Sequence, residues 1–276
     1  MKNILFILFL AFTVNSFAQD SDSLFYKGNE EVKNKNYTKA IEFYNKHLKY
    51  NPNDASALNA IGASFVELKQ YDSAMSYFQK AISSDPNYSQ AYSSRGAMYL
   101  LYGQKDKAEP DLLKAIELNP NNITAYNTLA TYYITSDKTQ KGFELFAKAL
   151  EIEPNSIDIL WNRAAVYLNY EDYEKALADV NRAIEIDPGI AKSYYFRGTL
   201  YKDMKMYDKS MADYEKALKL DPNDPEIYVR RGILYLKMEE YKKAIDDMEY
   251  GYKLDPSLKE QTKDFYDEAL QKIKNK

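Results

Sequence analysis

Apolar and aromatic residues return along this chain at steps of three and four, and the step pattern restarts every 34 residues. Counted in units from residues 21, 55, 89, 123, 157, 191 and 225, the fourth position reads Leu58, Tyr92, Tyr126, Leu160, Tyr194 and Tyr228 from the second unit onward. The eleventh reads Phe65, Tyr99, Tyr133, Tyr167, Tyr201 and Tyr235. Small residues stand between: Gly28, Gly62, Gly96, Ala130, Ala164, Gly198 and Gly232 at the eighth position, with others at the twentieth and twenty-seventh, where only His47 departs. Such steps put large and small groups on one helical face, so knobs of one helix meet holes of the next. Pro52, Pro86, Pro120, Pro154, Pro188, Pro222 and Pro256 close the units, where a helix cannot continue. The pattern predicts two helices per unit, each of about 14 residues or roughly 21 Å. A period of this length is the mark of stacked units and not of one closed core. Asn53, Asn87, Asn121, Asn155 and Asn223 follow the prolines and are expected to cap the next helix or hold the turn.

This order of large, small, aromatic, Ala, aromatic, Ala and Pro resembles the tetratricopeptide repeat, in seven copies over 21–54, 55–88, 89–122, 123–156, 157–190, 191–224 and 225–258. The resemblance implies an all-α fold: a right-handed superhelical solenoid of helix-turn-helix repeats, with a concave face lined by the first helix of each. Beyond it, within 259–276, Phe265, Tyr266, Ala269, Leu270 and Ile273 recur at helical spacing among charges, which predicts an amphipathic capping helix over 259–275. Pro110 lies early in a second helix and is expected to bend it only slightly.

Comparing the copies shows a coupling. The seventh position is Arg95, Arg163, Arg197 and Arg231 in four units, and the twenty-third is Asp111, Asp179, Asp213 and Asp247 in the same four. Where the seventh is Ile61 or Leu129, the twenty-third is Tyr77 or Leu145. Charge goes with charge inside a unit, so each repeat of the four is expected to hold an Arg–Asp bridge between its two helices. Exposed, such a bridge contributes at most about 1 kcal/mol; partly buried, breaking it costs several.

The first residues change the compartment. Lys2, the apolar run Ile4–Val14 and Ser16-Phe17-Ala18 read as a secretory signal peptide over 1–18 with cleavage before Gln19. The run is short of the roughly 20 apolar residues that cross a bilayer, so the mature chain, from 19, is expected to have no membrane span. Periplasm or extracellular space is the expected location. With no cysteine, thiol catalysis, thiolate zinc and disulfides are excluded. The net charge of -4 without a basic block gives no footprint for nucleic acid. There is one histidine, His47, read as packing in the first repeat's seam, and neither GxxxxGK[ST] nor GxGxxG is present. No catalytic, cofactor-binding or metal-binding residue is assigned, and the chain is read as a non-enzyme.

Most of the 27 tyrosines fall on the scaffold positions. The resemblance places positions 2, 5, 6, 9, 12 and 13 of each first helix on the concave face. Position 5 reads Asn59, Ser93 and Asn127 in units 2 to 4, small polar groups that leave room for an extended peptide. In units 5 to 7 it becomes Trp161, Tyr195 and Val229, with Ala165, Thr199 and Ile233 at position 9 and Asn162 and Arg230 at position 6. Aromatic residues dominate binding hot spots, so Trp161–Tyr195–Val229 is the expected anchor for a protein or peptide segment; Trp161 packing on Tyr195 across the repeat seam is the competing reading. A subfamily that clamps a C-terminal carboxylate needs Lys at position 5, which this chain lacks. The expected function is an exported interaction scaffold, with self-association through the ends or convex face as the alternative.

Overall fold

The computed structural model describes residues 21–274; the leader expected over 1–18 and the cleavage point before Gln19 lie outside them. Every regular element among the described residues is a helix. The first seven pairs are α1 (21–33) with α2 (Tyr37–Leu48), α3 (Ala55–Glu67) with α4 (Tyr71–Ser84), α5 (Ser89–Leu101) with α6 (Lys105–Leu118), α7 (Ile123–Ile134) with α8 (Thr139–Ile152), α9 (Ile157–Asn169) with α10 (Tyr173–Ile186), α11 (Ala191–Asp203) with α12 (Tyr207–Leu220), and α13 (Pro225–Lys237) with α14 (Tyr241–Leu254). The chain divides after Ile152 into two compact units, α1 to α8 and α9 onward.

Each pair closes on one large side chain. Tyr44, Phe78, Leu112, Phe146, Val180, Tyr214 and Met248 share one position of the second helix and are all buried. They face the small eighth residue of the first helix. A Cβ built on Gly28 would stand 2.4 Å from the Tyr44 ring, and one on Gly62 2.5 Å from the Phe78 ring. Helix axes therefore approach as closely as a glycine backbone allows.

The turns repeat as strictly as the helices. Lys35, Lys69, Asp137, Glu171, Lys205 and Glu239 join the paired helices with φ between 58° and 61°, and Gly103 does so at 69°. The residue after each bonds back to the first helix, as in Gln70 N–H to Phe65 O at 2.9 Å. Between units, the capping role expected for the asparagines after proline is corrected, and Asn87, Asn121 and Asn223 enter the turn through their backbone N–H. Among the described residues, the side chains that cap first helices belong to Asp54, Asn122 and Asp224, one residue before α3, α7 and α13. The proline turns are held by the residue ahead of proline: Asp85, Asn119 and Asp221 accept the backbone N–H of Asn87, Asn121 and Asn223. The side chains of Asn87, Asn121 and Asn223 are exposed. Pro110 sits inside an unbroken α6.

The four arginines stand against the four aspartates. Arg163 donates through Nε and Nη2 to the two carboxylate oxygens of Asp179 at 2.8 and 2.7 Å, and Arg95–Asp111, Arg197–Asp213 and Arg231–Asp247 repeat this fork. Hydrogen bonding to the carboxylate raises each guanidinium above its usual value against the opposing effect of burial. Each guanidinium also lies 5.8 to 5.9 Å from the ring of Tyr99, Tyr167, Tyr201 or Tyr235, whose neighbour in turn is Lys107, Lys175, Lys209 or Lys243. Lysine, tyrosine, arginine and aspartate thus form a stack that ties the two helices of a repeat together.

The single capping helix expected over 259–275 is two elements. α15 (Leu258–Gln261) ends at Thr262, and α16 (Lys263–Lys274) follows. Thr262 is buried, bonded to Tyr252 Oη at 2.8 Å and donating to Leu258 O, so its hydroxyl anchors the bend on α14. α16 then lays Phe265, Tyr266 and Ala269 over Val229, Ile233 and Met248.

Candidate functional site

Burial separates the expected groove residues into two sets. Asn59, Ser93, Trp161, Val229 and Ile233 are buried and do not line an open surface. The reason is positional for Ser93, Trp161 and Val229, where position 5 lies against the element packed next on that helix. Ser93 Oγ donates to Gln90 O and meets the amide of Asn122, the residue that caps α7. The Trp161 indole N–H donates to Ser193 Oγ at 3.1 Å, and Lys192 Nζ lies 4.3 Å from the ring centroid, so the start of α11 covers it. Val229 and Ile233 lie beneath α16, which takes the place of an eighth first helix. The Trp161–Tyr195–Val229 anchor is therefore corrected to a packing seam, and Tyr195 has Phe196 and Tyr214 as its ring neighbours.

Asn127, Asn162, Ala165, Tyr195, Thr199 and Arg230 keep exposed or half-buried surface. Three of them make one polar cluster in the second unit. Tyr195 Oη donates to Glu226 Oε1 at 3.0 Å, and Arg230 Nη2 donates to the same oxygen at 3.2 Å. Burial pushes the Tyr195 phenol well above its ordinary value, Arg230 opposing and Glu226 adding to it. Thr199 Oγ1 donates to Tyr195 O at 3.1 Å and lies 3.1 Å from Tyr214 Oη, which ties the cluster to the core. A neutral phenol, a guanidinium and a carboxylate held in fixed order can match a peptide's polar groups. Nothing in the set supplies a nucleophile with its base.

In the first unit an open cleft of about 320 Å³ lies between repeats 1 and 2, lined by Asn29, Val32, Ala60, Ala63, Ser64 and Glu67 with Tyr37 and Tyr44. Asn29, Ala60, Ala63 and Glu67 occupy positions 9, 6, 9 and 13 of α1 and α3. Tyr44 Oη donates to Asn29 Oδ1 at 2.7 Å, which fixes the amide and leaves its N–H₂ group as an unused donor. The sequence reading missed this cleft, although Asn29 at position 9 was its visible sign. His47 is more than tolerated packing. Nδ1 meets the Ser21 backbone oxygen at 2.9 Å and Nε2 meets Asp54 Oδ2 at 2.7 Å, so one buried ring ties α1, α2 and the cap of α3. Among the described residues no group of His, Asp and Glu could hold a metal ion, and no helix is long and apolar enough to cross a membrane.

Models of the tetratricopeptide repeat match residues 25–91, 89–122, 112–143, 157–190, 191–224 and 213–246. No curated protein sequence matches the chain. Among solved structures, a chain of the APC/C hetero-tetramer Cut9–Hcn1 is similar with a TM-score of 0.74 at 18% identity, over 88% of this chain and 48% of that one. This chain therefore spans about half of that relative's length. A tetratricopeptide repeat protein from Parabacteroides merdae gives 0.65 at 22% identity, over 91% and 99% of the two chains, and pilF of Pseudomonas aeruginosa 0.58 at 19%, over 75% and 94%. At these identities the likeness is one of fold.

Proposed function

Because the chain belongs to the tetratricopeptide-repeat family, a fold suited to protein–protein interaction, we propose that it is an exported, non-catalytic scaffold that holds a peptide segment against its first helices. The cleft between repeats 1 and 2 carries this reading. Its floor of Ala60 and Ala63 leaves room for a main chain, Val32 and the two tyrosine rings give apolar walls, and the Asn29 amide and Glu67 carboxylate supply a donor and an acceptor. Extended segments bind such surfaces through backbone hydrogen bonds with side chains in pockets. Affinities of order micromolar, about -8 kcal/mol, are expected for a groove of this kind.

A photoreactive benzoylphenylalanine tests the reading when placed at exposed Ala63, with exposed Ala147 of α8 as control. Irradiated with envelope extract, the Ala63 protein is expected to give a discrete adduct that Glu67→Lys weakens. Equal adducts at both positions would refute the groove. Export has its own assay: N-terminal sequencing of the protein from fractionated cells should read from Gln19, and a cytoplasmic chain starting at Met1 would refute it.

A further inference from the structure

Repeat 4 departs from the four repeats that carry the Arg–Asp fork. Four repeats fill the space beside the tyrosine at position 11 with an arginine held by an aspartate. Repeat 2, which has Ile61 and Tyr77 instead, fills it with the Phe65 and Tyr77 rings 5.5 Å apart. Repeat 4 has Leu129 and Leu145, two shorter side chains that pack in one cluster with Tyr132 and Tyr133. What results is an open cleft of about 360 Å³, walled by Leu113 and Ile116 of α6, Tyr126 and Tyr133 of α7 and Leu145 of α8. Leu113 is 48% exposed on its edge, a large apolar side chain with half its surface in water.

The rim has a sign. Lys141 and Lys148 stand one heptad apart on α8 with Glu144 between them. Glu144 accepts from the Gln140 amide at 3.2 Å, and Lys141 lies 5.9 Å from the Tyr133 ring centroid. Neither lysine is paired with a carboxylate among the described residues. On a chain of net charge -4 this is a local reversal, an apolar slot whose rim carries two ammonium groups against one carboxylate. These are positions 4, 7 and 11 of a first helix and the face of a second, none of them groove positions.

We infer that this cleft docks an acidic amphipathic segment of a partner protein. One bulky aliphatic or aromatic side chain enters between Leu113 and Tyr126, and carboxylates on its flanking turns meet Lys141 and Lys148. Apolar burial gives the contact, and the charges select the partner and its direction.

The probe is a short fluorescein-labelled peptide with a leucine face flanked by glutamates, followed by anisotropy on the whole chain. Controls carry glutamine for glutamate or serine for leucine. Leu129→Arg with Leu145→Asp refills the slot with the pair that four sibling repeats already fold around. That double substitution and Lys148→Glu are each expected to weaken binding by about tenfold or more, and the glutamine peptide should lose both affinity and salt dependence. Leu113→Ser, at an exposed position, should weaken binding similarly and decides the matter if the double variant fails to fold. Absence of saturable binding to the parent chain, or equal binding by the refilled variant, would overturn the inference. So would parent self-association in sedimentation that the refilled variant abolishes, which would make a second copy the occupant. Adduct formation at Ala63 reads different residues, so either proposal can fail alone.

Discussion

Asp179→Asn tests whether the Arg–Asp fork carries stability. The carboxylate accepts two hydrogen bonds from Arg163, with side-chain exposures of 8% for the aspartate and 22% for the arginine. Asparagine keeps the shape but removes the charge and one acceptor, leaving a largely buried guanidinium half paired. Breaking a buried pair from one side costs roughly 3–5 kcal/mol; with part of this arginine in water, about 2–3 kcal/mol is expected. Removing both partners is a different perturbation. Arg163→Leu with Asp179→Leu reproduces the Leu129/Leu145 pair of repeat 4, and should stay within about 1 kcal/mol of the parent. The coupling in the double-mutant cycle should then be of order 2 kcal/mol. Trp161, the only tryptophan, lies two residues from Arg163 in α9 and is sealed by α11, so its fluorescence in urea follows opening of this repeat. The reasoning fails if Asp179→Asn costs under about 0.5 kcal/mol, the range of an ordinary surface change. It also fails if the double leucine variant is weaker than both single ones.

Three further outcomes follow from the same geometry. Gly62→Ala puts a methyl 2.5 Å from the buried Phe78 ring and should cost about 1–3 kcal/mol in urea titration; an unchanged midpoint would mean the helices can part freely. Glu171→Gly relieves a φ of 58° and should stabilise by about 0.5–1 kcal/mol, with a loss counting against backbone strain at that turn. Burial pushes the Tyr214 phenol up to about 12, the Thr199 hydroxyl opposing. Above pH of about 10 the unfolded chain releases that proton and the folded one does not. Its contribution is therefore complete below pH of about 10 and falls by about 1.4 kcal/mol per unit until about 12. Tyr214→Phe should flatten that slope in urea midpoints measured across the range, and parallel profiles would refute it.

Seven internal copies made much of the fold readable from one chain. Arg163 and Asp179 could be paired because Leu129 and Leu145 changed together, and Gly62 could be set against a large partner because every copy repeats the contrast. Position 5 was harder. Periodicity says which face of α9 holds Trp161, but exposure depends on what the start of α11 lays on that face. Val229 and Ile233 failed for the same reason: α16 was visible as an amphipathic stretch, but its landing place was not. Lys107, Lys175, Lys209 and Lys243 stand in register in the sequence, but only the tyrosine rings beneath them give that register a meaning. Asn87 and Asn121 misled because they serve through the peptide N–H, which residue identity does not report.

α16 also covers the seventh repeat. By lying across Val229, Ile233 and Met248 it covers the apolar flank of the last repeat. A chain shortened before Leu258 would carry that flank bare, able to accept the leading helix of another molecule and so grow into filaments. α15 and α16 are in that sense a lid on polymerisation, and their loss would expose an end able to recruit further copies.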